Sequence, residues 1–112
     1  MIHRMKLQNG PFERIAEGTK TVEMRLYDEK RRMIAEGDTL LFESTESGEQ
    51  LVCHVLSLCR CASFAELYAR HDKVSLGYEE WEEADPRDMY LYYTSEEESR
   101  YGVVGIRIEK QQ

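Results

Sequence analysis

A chain of 112 residues, 41% hydrophobic and 33% charged, is long enough to bury one core without disulfides or a metal. It contains no apolar run near the roughly 18 residues of a membrane span and no basic-plus-apolar leader. A single cytoplasmic domain over 1–112 is expected, with no membrane partner. The net charge of −7 excludes a broad duplex-binding face, because affinity for a polyphosphate comes mostly from lysine and arginine. The charge is uneven, however. Residues 1 to 35 carry eight Lys and Arg against five Asp and Glu, whereas the remainder carries seven against seventeen. A compact or single-stranded ligand fits that asymmetry, and extended duplex does not.

In chain order, Met1 to Leu7 alternates apolar and polar residues and predicts a first strand. Asn9 as N-cap, Pro11 in the first turn, an apolar face of Phe12, Ile15 and Ala16, and Gly18 as stop predict a short amphipathic helix. Thr21 to Leu26 alternates as a strand, with Thr21, Glu23 and Arg25 on one face and Val22, Met24 and Leu26 on the other. The apolar face is expected to meet the core. Asp28 to Ala35 reads as a charged helical turn, and Glu36-Gly37-Asp38 launches a strand over Thr39 to Glu43. Ser47-Gly48-Glu49 closes a hairpin onto a long strand, Leu51 to Cys61, and predicts a meander of three or four strands. Both parities of that long strand are apolar, so it is expected to be central and bent near Ser57.

Ser63 with Glu66 has the pattern of a capping box, over a buried stripe of Phe64, Leu67 and Tyr68. Beyond it, short helices are predicted at 79–84, 86–93 and 95–100, the last capped by Ser95 with Glu98. Gly102 to Glu109 is predicted as the closing strand, with Val104, Ile106 and Ile108 on one face. Cys53, Cys59 and Cys61 share one strand without a CxxC spacing and read as reduced thiols packed as small hydrophobes. His3, His54 and His71 offer no ligand spacing, so neither a metal nor another cofactor is expected. His71 reads as a dipole partner at a helix C-terminus.

The densest chemistry lies in Gly18 to Arg25, where Lys20, Glu23 and Arg25 fall within six positions. Burial and Arg25 would lower the lysine pKa towards general-base duty, and Glu23 would hold it charged. An exposed Glu23–Arg25 pair worth under about 1 kcal/mol is the other reading of the same residues. Among the tyrosines, Tyr90 and Tyr92 are expected in the core, and Tyr93 and Tyr101, flanking an acidic turn at 96–98, are the candidates to stack on a base.

Gly18-x-Lys20-x-x-Glu23-x-Arg25 resembles the GxKxxExR signature of the ASCH domain, in the PUA-like superfamily. Gly37-Asp38, Ser63-Phe64 with Glu66-Leu67-Tyr68, and Tyr92-Tyr93 through Glu98 with Arg100-Tyr101-Gly102-Val103 match further blocks in the family's order. The resemblance runs from about Lys6 to Glu109. It implies an α+β fold: a small PUA-like β-barrel with short helices packed around it, and a cleft beside the signature. It also implies binding of RNA or a modified nucleoside or nucleotide, with Lys20, Glu23 and Arg25 lining the cleft and Tyr93 or Tyr101 stacking. A bacterial branch of the family is N4-acetylcytidine amidohydrolase, in which the signature lysine is catalytic and a threonine stands three residues after it. On that alternative Lys20 is the base and Glu23, at the threonine position, shuttles the proton. The branch also uses a glutamate from the helical region, for which 79–83 offers candidates. A third reading has the acidic, tyrosine-rich stretch 79–101 docking a protein partner.

Overall fold

Five strands form one curled sheet in the order β1-β3-β4-β5-β2 in the computed structural model, which describes residues 1–111. β1 (Ile2–Leu7) lies parallel to β3 (Thr39–Ser44). β3 and β4 (Gln50–Cys61) form the antiparallel hairpin that Ser47-Gly48-Glu49 predicts. The meander expected through the first four strands does not form, because β5 (Val103–Lys110), from the end of the chain, takes the place beside β4, antiparallel to it. β2 (Val22–Leu26) completes the far edge, antiparallel to β5. The pairings of β1 and β2 are long-range, so no turn chemistry announces them. β4 is central, as its two apolar parities predict, and its register shifts between Val55 and Ser57. The extra residue turns the strand, so Cys53 and Val55 serve the core on one face and Cys61 serves the core on the other.

On the first face Met5, Leu40, Phe42, Val104 and Ile106 pack with Phe12 and Ile15 of α1 (Asn9–Glu17). On the second, Val22, Met24 and Leu26 pack with Phe64 and Leu67 of α2 (Phe64–Ala69) and Leu76 of α3 (Lys73–Leu76). Each such side chain contributes about 1.5–3 kcal/mol by leaving water. The expected barrel is a half-barrel. Its edge strands β1 and β2 do not pair with each other, and the seam is bridged by Arg25, whose Nη2 donates to the Lys6 carbonyl at 3.0 Å.

The helices depart from expectation in instructive ways. α1 starts after Gln8, not Asn9; the Asn9 side chain instead donates to Glu13 and accepts from Ser44. The charged stretch after β2 contains a single 3-10 turn, Arg31–Met33. No helix occupies 79–84; the helix is α3, upstream, capped by Asp72 and stopped by Gly77 at φ 111°. Pro86–Leu91 is a 3-10 helix with Asp85 as its cap. α4 (Ser95–Tyr101) is capped by Thr94 in a box with Glu97, one residue earlier than predicted. That shift turns Glu98 inward, 7% exposed, where its carboxylate accepts from the Phe64 N–H at 2.7 Å and the Tyr90 hydroxyl at 2.5 Å. Because its hydroxyl must reach Glu98, the Tyr90 ring lies on the surface; Tyr90 and Tyr92 are exposed, and Tyr93 and Tyr101 are the pair packed against the core. At α2, Ser63 caps as predicted, and Glu66 reaches back to the Ala62 N–H. His71 meets the Leu67 carbonyl near that helix's end at 3.0 Å. No helix among the described residues is long and apolar enough to cross a membrane.

Candidate functional site

α1 ends at Gly18 (φ 91°), and the chain folds back so that the N–H groups of Thr19 and Lys20 both donate to the Arg14 carbonyl. Thr21 then donates to the Ser75 carbonyl and accepts from the Ile108 N–H. These bonds clamp Lys20 between α1, α3 and β5. Its side chain, 7% exposed, runs over Gly77, where a Cβ would stand 3.1 Å from Lys20 Cδ. Nζ donates to the Leu76 carbonyl at 2.7 Å and lies 3.5 Å from Glu23 Oε1. The last carbonyls of a helix have no partner within it, so the ammonium caps α3.

In the β2–β5 register Glu23 stands opposite Ile106 and Arg25 opposite Val104. Their side chains therefore share the face of the Val104–Ile106 core, and Glu23 is only 5% exposed. An exposed ion pair is ruled out by that burial. Glu23 Oε2 accepts from Arg25 Nε at 2.7 Å while Oε1 faces Lys20, so one carboxylate serves two cations. Burial is the largest influence on Lys20 and lowers its pKa below 10.5; Glu23 opposes that, and Arg25 and Arg14 reinforce it.

The three side chains converge at one end of a cleft of about 730 Å³. Tyr68, Tyr78, Asp88, Met89 and the run Leu91 to Tyr93 form the facing wall. Tyr68 donates to the Tyr78 hydroxyl at 2.8 Å, which donates to Asp88 Oδ2 at 2.7 Å. Burial first, then the hydrogen bonds to Tyr68 and Asp88, push the Tyr78 phenol well above its ordinary value. Tyr93 is half-buried, and one face of its ring is taken by Phe64, with centroids 5.7 Å apart and planes 17° from parallel. At the mouth, Arg14 reaches Glu79 at 3.4 Å and the Tyr92 hydroxyl reaches Gln8 at 3.5 Å.

Lys20, Glu23, Arg25 and Tyr93 thus all border the cleft. Tyr101 does not: α4 turns it into the packing around β2, with the Arg100 guanidinium 5.2 Å above its ring. Of the 79–83 group Glu82 lines the cleft, with its carboxylate accepting from the Glu79 N–H at 2.7 Å. The Leu76 carbonyl, Gly77, Tyr78 and Asp88 also belong to the site, although none was expected there. Asp72 as cap and Gly77 as stop were the available signal for α3; the Tyr78–Asp88 pairing crosses irregular chain and has none. Among the described residues no three His, Cys, Asp or Glu side chains gather as a metal site.

The model of the ASCH domain family matches residues 5–112. The chain is similar to the hypothetical protein PH0355 at 33% identity and a TM-score of 0.83, over 99% of this chain and 100% of that one. It is also similar to protein PF0455 from Pyrococcus furiosus, at 32% identity and a TM-score of 0.75, over 100% and 99%. An ASCH protein from Zymomonas mobilis shares the fold at 16% identity and a TM-score of 0.67, over 99% of this chain and 68% of that one. No curated protein matches the sequence.

Proposed function

The chain belongs to the ASCH domain family, and from that premise we propose that its cleft holds one nucleotide, or modified nucleoside, of single-stranded RNA. The observation that carries this reading is the convergence of the buried Lys20 and Glu23 with the partly buried Arg25 in a cleft whose lining also holds Met24, Leu76, Met89 and four tyrosines. A cavity with a few fixed polar groups among apolar walls is the usual form of a small-ligand site, and about 730 Å³ lies within the usual range. Lys20 has three donor hydrogens and two protein partners, and Arg25 has five and likewise meets two. The surplus donors suit a phosphate or a base edge, and Tyr93 offers the ring face not covered by Phe64 for stacking. Fluorescence anisotropy with a short labelled single-stranded RNA tests this. Lys20→Ala and Arg25→Ala are each expected to weaken binding by about tenfold or more, as the loss of a charged hydrogen bond of about 1.5–3 kcal/mol implies. Unchanged binding in both overturns it.

The lowered pKa of Lys20 favours a second reading, amide hydrolysis of an acylated nucleoside such as N4-acetylcytidine. Here Lys20 takes the proton of the attacking water and Arg25 faces the developing oxyanion. Glu23, with both oxygens held by cations, positions these two groups rather than carrying protons between them. Chromatography of N4-acetylcytidine incubated with the protein decides it. Cytidine formed by the native chain and not by Lys20→Ala supports hydrolysis; an intact substrate overturns it.

A further inference from the structure

Across the Arg25–Lys6 bridge lies a second hollow, of about 470 Å³, and both bridging residues border both cavities. Its lining collects Arg4 and Lys6 of β1 with Lys30 and Arg31 of the loop after β2, against one carboxylate, Glu43. Strand alternation brings Arg4 and Lys6 out on the same face of β1. Asp28 holds Arg31 in place, accepting from its backbone N–H at 3.1 Å and from its Nη1 at 3.0 Å. Among the described residues Arg4, Lys6 and Lys30 have no ion-pair partner, and the fully buried Nε of Arg31 has no acceptor. Like charges facing one hollow repel each other, and a buried donor without an acceptor is rare in folded proteins. These cations are relieved of their mutual repulsion by an oxyanion such as a phosphate. That they occur on a chain of net charge −7, at the rim of the cleft, gives the basic surplus of residues 1 to 35 one location.

We propose that this hollow takes a backbone phosphate of the nucleotide adjacent to the one in the cleft, so that the ligand is an oligoribonucleotide and not a free nucleoside. The inference rests on the reading of the cleft given above. Arg25 and Lys6, common to both cavities, mark where the strand passes from one to the other. Arg4 and Lys30 are exposed and touch nothing in the cleft, so the double variant Arg4→Ala/Lys30→Ala removes charge from the hollow alone.

The test compares native protein, that double variant and Lys20→Ala, binding a labelled short oligouridylate between about 50 and 200 mM salt, and binding uridine by calorimetry. The double variant is expected to lose affinity for the oligonucleotide by about tenfold or more. Its plot of log affinity against log salt should flatten by about 1.4, at about 0.7 for each cation that meets a single strand, with uridine binding unaltered. An oligonucleotide affinity and salt slope equal to native overturn the proposal, and uridine binding that persists then leaves the cleft reading standing. If the double variant loses the oligonucleotide while Lys20→Ala keeps it and native protein does not bind uridine, the hollow is upheld as the phosphate anchor and the cleft reading falls. Native protein that binds neither probe removes both.

Discussion

The two walls of the cleft are built by different means. On the β2 wall every charged group is fixed by regular structure: Lys20 by backbone bonds to α1, Glu23 and Arg25 by the β2–β5 register. The facing wall, from Tyr68 to Tyr93, has little regular structure beyond the four residues of α3 and one 3-10 helix. It is held by side-chain caps at Asp72 and Asp85, and by the Tyr68–Tyr78–Asp88 hydroxyl chain. The division follows from the energetics. A buried ion that drifts from its counter-ion loses several kcal/mol, so charge needs a stiff support, whereas apolar and aromatic surface gains from almost any close contact.

If that contrast is right, Glu23→Ala has the largest effect, because it leaves the buried Lys20 and the partly buried Arg25 without their shared carboxylate. A loss of about 3–5 kcal/mol in urea unfolding is expected; a loss below about 1 would mean the charged wall is not a buried network. Glu98→Ala follows at about 2 kcal/mol, since the Phe64 N–H and Tyr90 hydroxyl lose a charged acceptor. A larger loss than that of Glu23→Ala would mean that the charged wall is not the most tightly held polar network of the domain. Gly77→Ala joins the two, forcing a side chain into φ 111° against the lysine stem. It should cost about 1–2 kcal/mol and also weaken ligand binding, whereas a purely local strain would leave binding intact. Tyr78→Phe removes one link of the hydroxyl chain and should cost about 1 kcal/mol by thermal unfolding.

The smallest effect expected is on pH. Since burial lowers the Lys20 pKa, the ammonium is lost below the ordinary 10.5, and anion binding should weaken as pH rises through that lowered value. Lys20→Arg should remove the dependence. For folding the sign is opposite: the folded state holds fewer protons than the unfolded state between the lowered pKa and 10.5, so this group's contribution to stability rises with pH across that window.

What could be read in advance followed the range of the interactions. Strand alternation, the Gly18 stop, the Ser63 cap and the bend in β4 are encoded by near neighbours and are present as expected. The faces of β2 were legible as well, yet their burial was not: that Glu23 and Arg25 point at a core depends on β2 pairing with β5, some eighty residues away. The 72–94 stretch misled most, because Thr94 competes with Ser95 for the same cap and because its tyrosines are placed by hydroxyl partners rather than by periodicity. Tyr101 illustrates the cost of reading an aromatic from its acidic neighbours alone.

β1 carries a further consequence. It is an edge strand, with Met1 and Ile2 exposed, of the kind onto which another chain can add and from which aggregates grow. Arg4 and Lys6 place charge along that border, and the Arg25 guanidinium already occupies the Lys6 carbonyl. The cations gathered around the hollow therefore also set like charge against the addition of a second copy along this edge, and neutralising all of them at once is expected to favour self-association.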